Sequence, residues 1–137
     1  MPTYRGFMTD QLLPRHVTSV LLEEGTGNIT VTWGLGDLLP AVEAEYFGYE
    51  LYYYAPDGNG GKRFGVRFHE KTTAHVWDNA SNTQANYQSD SVTTTNDRIV
   101  IHYRDADLGL ADIGTIAAFS HVNGVDAQVD IPATLLR

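Results

Sequence analysis

Hydrophobic and polar residues alternate along most of this chain with the two-residue period of a β-strand. Ile29, Val31 and Trp33 alternate with Thr30 and Thr32, and Tyr49, Leu51 and Tyr53 alternate again. A Pro56–Gly61 turn sequence (PDGNGG) then leads into Phe64, Val66 and Phe68. Apolar residues at every second position line one face of a strand and bury it, leaving the other face to solvent or a partner. Repeated over many short segments separated by turn residues, the pattern predicts an all-β, two-sheet antiparallel sandwich.

Two hairpins carry enough pattern to predict a register. With Pro56–Gly61 as the loop, Tyr53 faces Phe64, Leu51 faces Val66 and Tyr49 faces Phe68, so all three apolar pairs share a face. The other face then pairs Glu50 with Arg67, Tyr52 with Gly65 and Tyr54 with Arg63. Near the C-terminus, Asn123-Gly124 is a strong hairpin signal, because both central residues of a type I′ turn need positive φ. It predicts Val122 opposite Val125, Ser120 opposite Ala127, Ala118 opposite Val129 and Ile116 opposite Ile131. Phe119 and His121 then point outward, opposite Gln128 and Asp126.

The remaining chain organises around these hairpins. Residues 1–15 read as an irregular N-terminal arm and 16–137 as a single domain. The arm carries Tyr4, Phe7, Leu12 and Leu13, an apolar set suited either to folding back on its own domain or to docking on a neighbouring subunit. Val17–Glu24 reads as a first strand, Gly25–Asn28 as a turn, and 34–40 as a loop with room for one helical turn at Ala41–Glu45. A short strand is expected at Ala74–Trp77. Asp78–Asp97, rich in Asn, Ser and Thr, reads as a long exposed connection with a weak edge strand around Val92. Arg98–Tyr103 resumes the alternation with Ile99, Ile101 and Tyr103 inward.

The Ile-x-Val-x-Trp strand, the GYELYYY strand and the closing Val-Asn-Gly hairpin resemble a fibronectin type III domain, an immunoglobulin-like sandwich, over about residues 17–134. The resemblance implies that Trp33 packs in the core against Tyr49 or Tyr53. The chain departs from that family in lacking a tyrosine near the start of its penultimate strand, and in the length of Lys71–Asp97. In type, though not by any motif, a small Thr/Asn/Asp/Gly-rich β domain with an apolar arm looks like bacteriophage virion proteins that decorate capsids or tails.

Composition narrows the function classes. Nine Lys and Arg against seventeen Asp and Glu give a net charge of -8, which opposes duplex nucleic-acid binding and favours solubility. There are no cysteines, so disulfide frameworks, thiolate metal sites and cysteine nucleophiles are excluded. No apolar run approaches membrane-spanning length, and the first residues show no apolar signal core, so no membrane partner is expected.

No catalytic motif is complete. Around Gly58–Arg63 a phosphate-binding loop would need glycine where Pro56 stands, a hydroxyl where Arg63 stands, and a following helix. His69-Glu70 with His75 misses the HExxH spacing. Asp105, Asp107 and Asp112 form a weak calcium candidate, but Gly109 occupies a position that needs an oxygen ligand and the closing glutamate is missing, so a polar turn is the plainer reading. No carboxylate pair or activated serine is fixed by spacing. No cofactor and no enzymatic activity are expected.

Surface recognition is the chemistry the registers do suggest. If the third strand lies beside the penultimate one, Tyr52, Tyr54, Arg63, Arg67, Phe119 and His121 gather on one outer face, and aromatics and arginines are the residue types that anchor interfaces. Outward aromatics also occur simply for their strand propensity. The first functional reading is a non-catalytic structural or assembly module, a phage virion component contacting other virion subunits or its own copies. The alternative is a carbohydrate-binding or adhesion module stacking sugars on Tyr52, Tyr54 and Phe119; against it, no second tryptophan platform is evident, since Trp33 reads as buried.

Overall fold

The computed structural model describes residues 13–39, 44–54, 61–69, 71–95, 97–108 and 115–136. The arm residues Tyr4, Phe7 and Leu12 therefore lie outside the described residues; Leu13 is within them and exposed. Eleven strands are described: β1 (Arg15–Glu24), β2 (Asn28–Leu38), β3 (Phe47–Tyr54), β4 (Lys62–Phe68), β5 (Thr72–Asp78), β6 (Thr83–Tyr87), β7 (Val92–Thr94), β8 (Arg98–Arg104), β9 (Thr115–Val122), β10 (Val125–Ile131) and β11 (Ala133–Leu136). A 3-10 turn (Ser89–Ser91) precedes β7, and a one-turn helix, α1 (Asp105–Leu108), follows β8.

The strands form two sheets, β11-β1-β2-β8-β7 and β10-β9-β3-β4-β5-β6, and the predicted sandwich is present. Every pairing is antiparallel except β1 with β11, which is parallel. The order is compatible with an immunoglobulin-like sandwich: a β1-β2-β8 sheet faces a β4-β3-β9-β10 sheet.

The alternating positions build the core as read. Val31, Trp33, Leu51, Phe64, Val66, Ile101 and Tyr103 are all essentially inaccessible. Trp33 packs on Tyr49 with ring centroids 5.6 Å apart, the contact implied by the resemblance. Buried tyrosines need partners for their hydroxyls. Tyr49 Oη accepts from the Arg15 amide (3.0 Å), Tyr53 donates to the Leu108 carbonyl (2.6 Å) and Tyr103 to the Gly65 carbonyl (2.9 Å). Burial pushes the Tyr49 hydroxyl up to about 12.

Several expectations are corrected. The β3–β4 hairpin is shifted by two residues: Leu51 faces Phe64, Tyr49 faces Val66, and Phe47 faces and stacks on Phe68 at 5.0 Å. A two-residue slip leaves every side chain on its predicted face, so the alternation alone does not fix it. The second hairpin has its Asn-Gly turn as predicted, with φ 52° at Asn123 and 82° at Gly124. Its register then slips twice, so that Gln128 faces Ser120 and Ile131 faces Ala118. The cause is visible at Gln128, whose amide takes the place of a strand partner for β1: Oε1 accepts from the Val17 N–H (2.9 Å) and Nε2 donates to its carbonyl (2.7 Å). Asp130 absorbs the irregularity at φ 54°, and Val125 and Val129, expected inward, are 70% and 57% exposed.

Two segments read as irregular are strands, and a third strand, β11, lies where no element was predicted. Gly34–Leu38 continues β2 against Arg15–Ser19, across two register shifts. Thr83–Tyr87, inside the predicted connection, pairs with β5 as an edge strand, while Val92–Thr94 is the edge strand expected there. β11 resumes after Pro132 and pairs with β1. The connection from β6 to β7 thus carries the chain from an edge of one sheet to an edge of the other.

Candidate functional site

β3 does lie beside β9, so the outer face of the larger sheet forms a lattice in which cross-strand neighbours form rows. One row runs Asp126, His121, Gly48, Arg67, Thr73. The next runs Phe119, Glu50, Gly65, His75, Asn86, and the third Ala117, Tyr52, Arg63, Trp77, Gln84. Above them opens a hollow of about 1080 Å³, with Tyr46 at its rim.

Glu50 forms the floor. Its side chain is only 3% exposed, although it points away from the sandwich core. Arg63 grips the carboxylate with Nε on Oε1 and Nη2 on Oε2, both at 2.6 Å. His75 Nε2 reaches Oε1 at 3.0 Å, and His121 Nε2 reaches Oε2 at 2.8 Å. Burial alone pushes the carboxyl up, but the hydrogen bonds from His121, His75 and Arg63 outweigh it and hold the group far below the usual carboxylate range. The same contact raises the Arg63 guanidinium.

The floor depends on a position with no side chain. A Cβ on Gly65 would stand 2.2 Å from the Tyr49 carbonyl and 2.7 Å from Glu50 Cγ, so Glu50 lies flat where only glycine leaves room. This contact distinguishes the observed register from the predicted one, which placed Tyr52 over Gly65. Gly65→Ala is expected to cost about 2–3 kcal/mol, since the clash is with backbone that cannot swing aside. Urea denaturation measures this, and a loss under about 0.5 kcal/mol, the range of a neutral surface change, would contradict it.

Aromatic rings carry the arginines of the rim. The Arg67 guanidinium stands 4.5 Å over the Tyr46 ring, and that of Arg63 lies 5.5 Å from the Phe119 ring. Tyr46 is held between His69 and His121 by edge contacts at 6.0 and 6.4 Å. Trp77 borders the hollow beside Arg63, its indole N–H donating to Asn79 Oδ1 (2.7 Å), and Asn79 in turn donates to the Tyr52 hydroxyl.

Of the residues predicted for this face, Arg63, Arg67, Phe119 and His121 meet in the hollow. Tyr52 lies next to it in the Arg63 row. Tyr54 continues the face along β3 opposite Thr115, but its side chain is outside the described residues. Four contributors were not singled out for this face: Tyr46, Glu50 as its centre, His75 and Trp77. The outward parity of His75 and Trp77 against buried Ala74 and Val76 carries the signal for two of them.

Of the calcium candidates, Asp112 and the Asp105 side chain lie outside the described residues. The Asp107 carboxylate is taken up by the Tyr87 hydroxyl and by Arg104 Nε at 3.0 Å. Burial raises the Asp107 carboxyl, and these two donors outweigh that and lower it. Among the described residues no group of three or more His, Asp or Glu is placed to hold a metal ion, and no helix is long and apolar enough to cross a membrane.

The fold and site define an all-β sandwich with a charged, aromatic-rimmed hollow on the outer face of its larger sheet. No family model matches this chain, and no curated protein or solved structure matches it.

Proposed function

We propose that this chain is a non-catalytic recognition and assembly module whose contact face is the outer surface of the β10-β9-β3-β4-β5-β6 sheet. The observation that carries the reading is the presentation of Arg63 and Arg67 on Phe119 and Tyr46 around a neutralised floor. Stacked arginines are held in place before binding, so little side-chain freedom is lost when a partner arrives. Arginine, tyrosine and tryptophan are also the side chains that most often dominate interface energies.

The state of Glu50 favours binding over catalysis. A general acid or base works best with a pKa near the operating pH, whereas Glu50 is held ionised and its oxygens are occupied. The fibronectin type III resemblance fits the same role, since Trp33 meets Tyr49 in the core and the third and penultimate strands are neighbours. A virion component, with other virion subunits or further copies as partners, is the setting the chain's type suggests.

The test is association. Light scattering and native mass spectrometry, alone and beside the products of neighbouring genes, are expected to show a complex that Arg63→Ala combined with Phe119→Ala disrupts. A strict monomer under all these conditions would overturn the reading.

One observation favours the saccharide alternative: Trp77, a second tryptophan besides the buried Trp33, borders the hollow. Against it, Tyr46 and Phe119 each already carry a guanidinium. A glycan array without hits, or binding unchanged by Tyr52→Ala with Phe119→Ala, would remove this alternative.

A further inference from the structure

Among the described residues, the Arg67 guanidinium has no hydrogen-bond or ion-pair partner, in contrast to Glu50 and Arg63. Arg63 is spent on Glu50, and Glu50 is saturated by Arg63, His75 and His121. The Arg67 guanidinium lies over Tyr46 and is exposed, and among the described residues it meets no carboxylate or carbonyl acceptor. Lys71, whose backbone carbonyl accepts from the His69 N–H at 3.3 Å, borders the same hollow, is exposed, and its ammonium likewise has no acceptor among the described residues. Among the described residues, the hollow is lined by three cationic side chains, Arg63, Arg67 and Lys71, and two carboxylates, Glu50 and Asp126, a net +1 in a chain of net -8. Asp126 is no competitor for Arg67, because it stands three strands away along its row, roughly 14 Å at the usual strand spacing.

A planar fork with its donors unpaired, fixed by stacking on an aromatic ring, matches a carboxylate bidentately. We propose that Arg67, supported by Lys71, is a carboxylate receptor that takes an Asp or Glu side chain from an acidic segment of a partner protein. The proposal rests on the contact-face reading and adds the chemistry of the partner. A protein segment fits better than an acidic sugar because the rings a sugar would stack on, Tyr46 and Phe119, are already covered by guanidinium groups.

The experiment titrates the full chain, at low ionic strength, with a labelled peptide alternating Glu and Gly, with its Gln counterpart, and with an oligogalacturonate. Anisotropy reports binding of each. The Glu peptide is expected to bind at least tenfold more tightly than the Gln peptide and to weaken several-fold as salt is raised. Arg67→Gln is expected to weaken it about tenfold, the loss of a charge-assisted bidentate contact, and Arg67→Lys to restore part of that. Thermal melts confirm that the variants are folded, which the exposure of Arg67 leads one to expect.

Equal binding of the Glu and Gln peptides, no binding of either, or indifference to Arg67→Gln would each overturn the proposal. Tighter, Arg67-dependent binding of the oligogalacturonate would overturn it in favour of an acidic saccharide. Failure here with subunit association still abolished by the Arg63 and Phe119 changes would leave the contact-face reading standing, whereas a strict monomer would remove that reading itself.

Discussion

Glu50→Gln is expected to destabilise the protein by about 3 kcal/mol, and the loss is expected to shrink as the solution is made acidic. Removing one partner of a buried ion pair costs about 3–5 kcal/mol because it strands the other charge. The lower end applies because Arg63, unlike Glu50, is 44% exposed and regains water when released. Glutamine also brings an NH₂ into a site where Arg63, His75 and His121 all approach the carboxylate through nitrogen, so a donor faces a donor unless one imidazole changes tautomer to accept.

The pH dependence follows from linkage. The Glu50 carboxyl titrates far lower in the folded protein than its ordinary value of 4.5, so the unfolded chain takes up the proton first as pH falls. Its contribution is therefore fully present above that ordinary value and is lost as pH drops below it towards the folded-state pKa. Below about pH 4 the gap between wild type and variant should close by up to roughly 1.4 kcal/mol per pH unit. Guanidinium titrations of both proteins between neutral pH and pH 3 give the two curves, and the difference isolates Glu50 from the other carboxylates. Parallel curves would mean that the carboxylate is not held as described.

What the chain displays in its sequence is faces more than registers. Alternation assigns Tyr49, Leu51 and Tyr53 to the core, and Tyr52 and Arg63 to the outside, because inside and outside differ in hydrophobicity. It is blind to a slip of two residues, which is how Glu50 came to be matched with Arg67 instead of lying over Gly65. The mark of the true register was a glycine among larger residues, legible only once the side chain covering it is known. β6 and β11 escaped because edge strands are short and Thr83–Tyr87 carries only Ala85 and Tyr87 on its inward face, too few positions to show a period.

The site was half legible for the same reason. Arg63, Arg67, Phe119 and His121 follow from strand parity and the adjacency of β3 and β9. Tyr46 precedes β3 and has no strand period to place it, and the convergence of His75 and His121 on one carboxylate spans β5 to β9, a distance in the sheet that no local pattern encodes.

Trp33→Ala is expected to be the most damaging single change to the fold, costing about 3–5 kcal/mol. Trp33 is 0% exposed, sits at the centre of β2, and packs on Tyr49, so truncation opens a cavity between sheets whose backbones are fixed by strand pairing on both sides. Phenylalanine provides the contrast. Among the described residues the Trp33 indole N–H has no acceptor, and a buried donor without a partner is itself a cost of about 1–3 kcal/mol. Trp33→Phe keeps an aromatic ring against Tyr49 and removes that donor, so its packing loss is largely offset and it should fall within about 1.5 kcal/mol of wild type. Urea midpoints of the two variants decide between packing and polarity at this position. If alanine and phenylalanine cost the same, the ring volume between the sheets is not what Trp33 contributes.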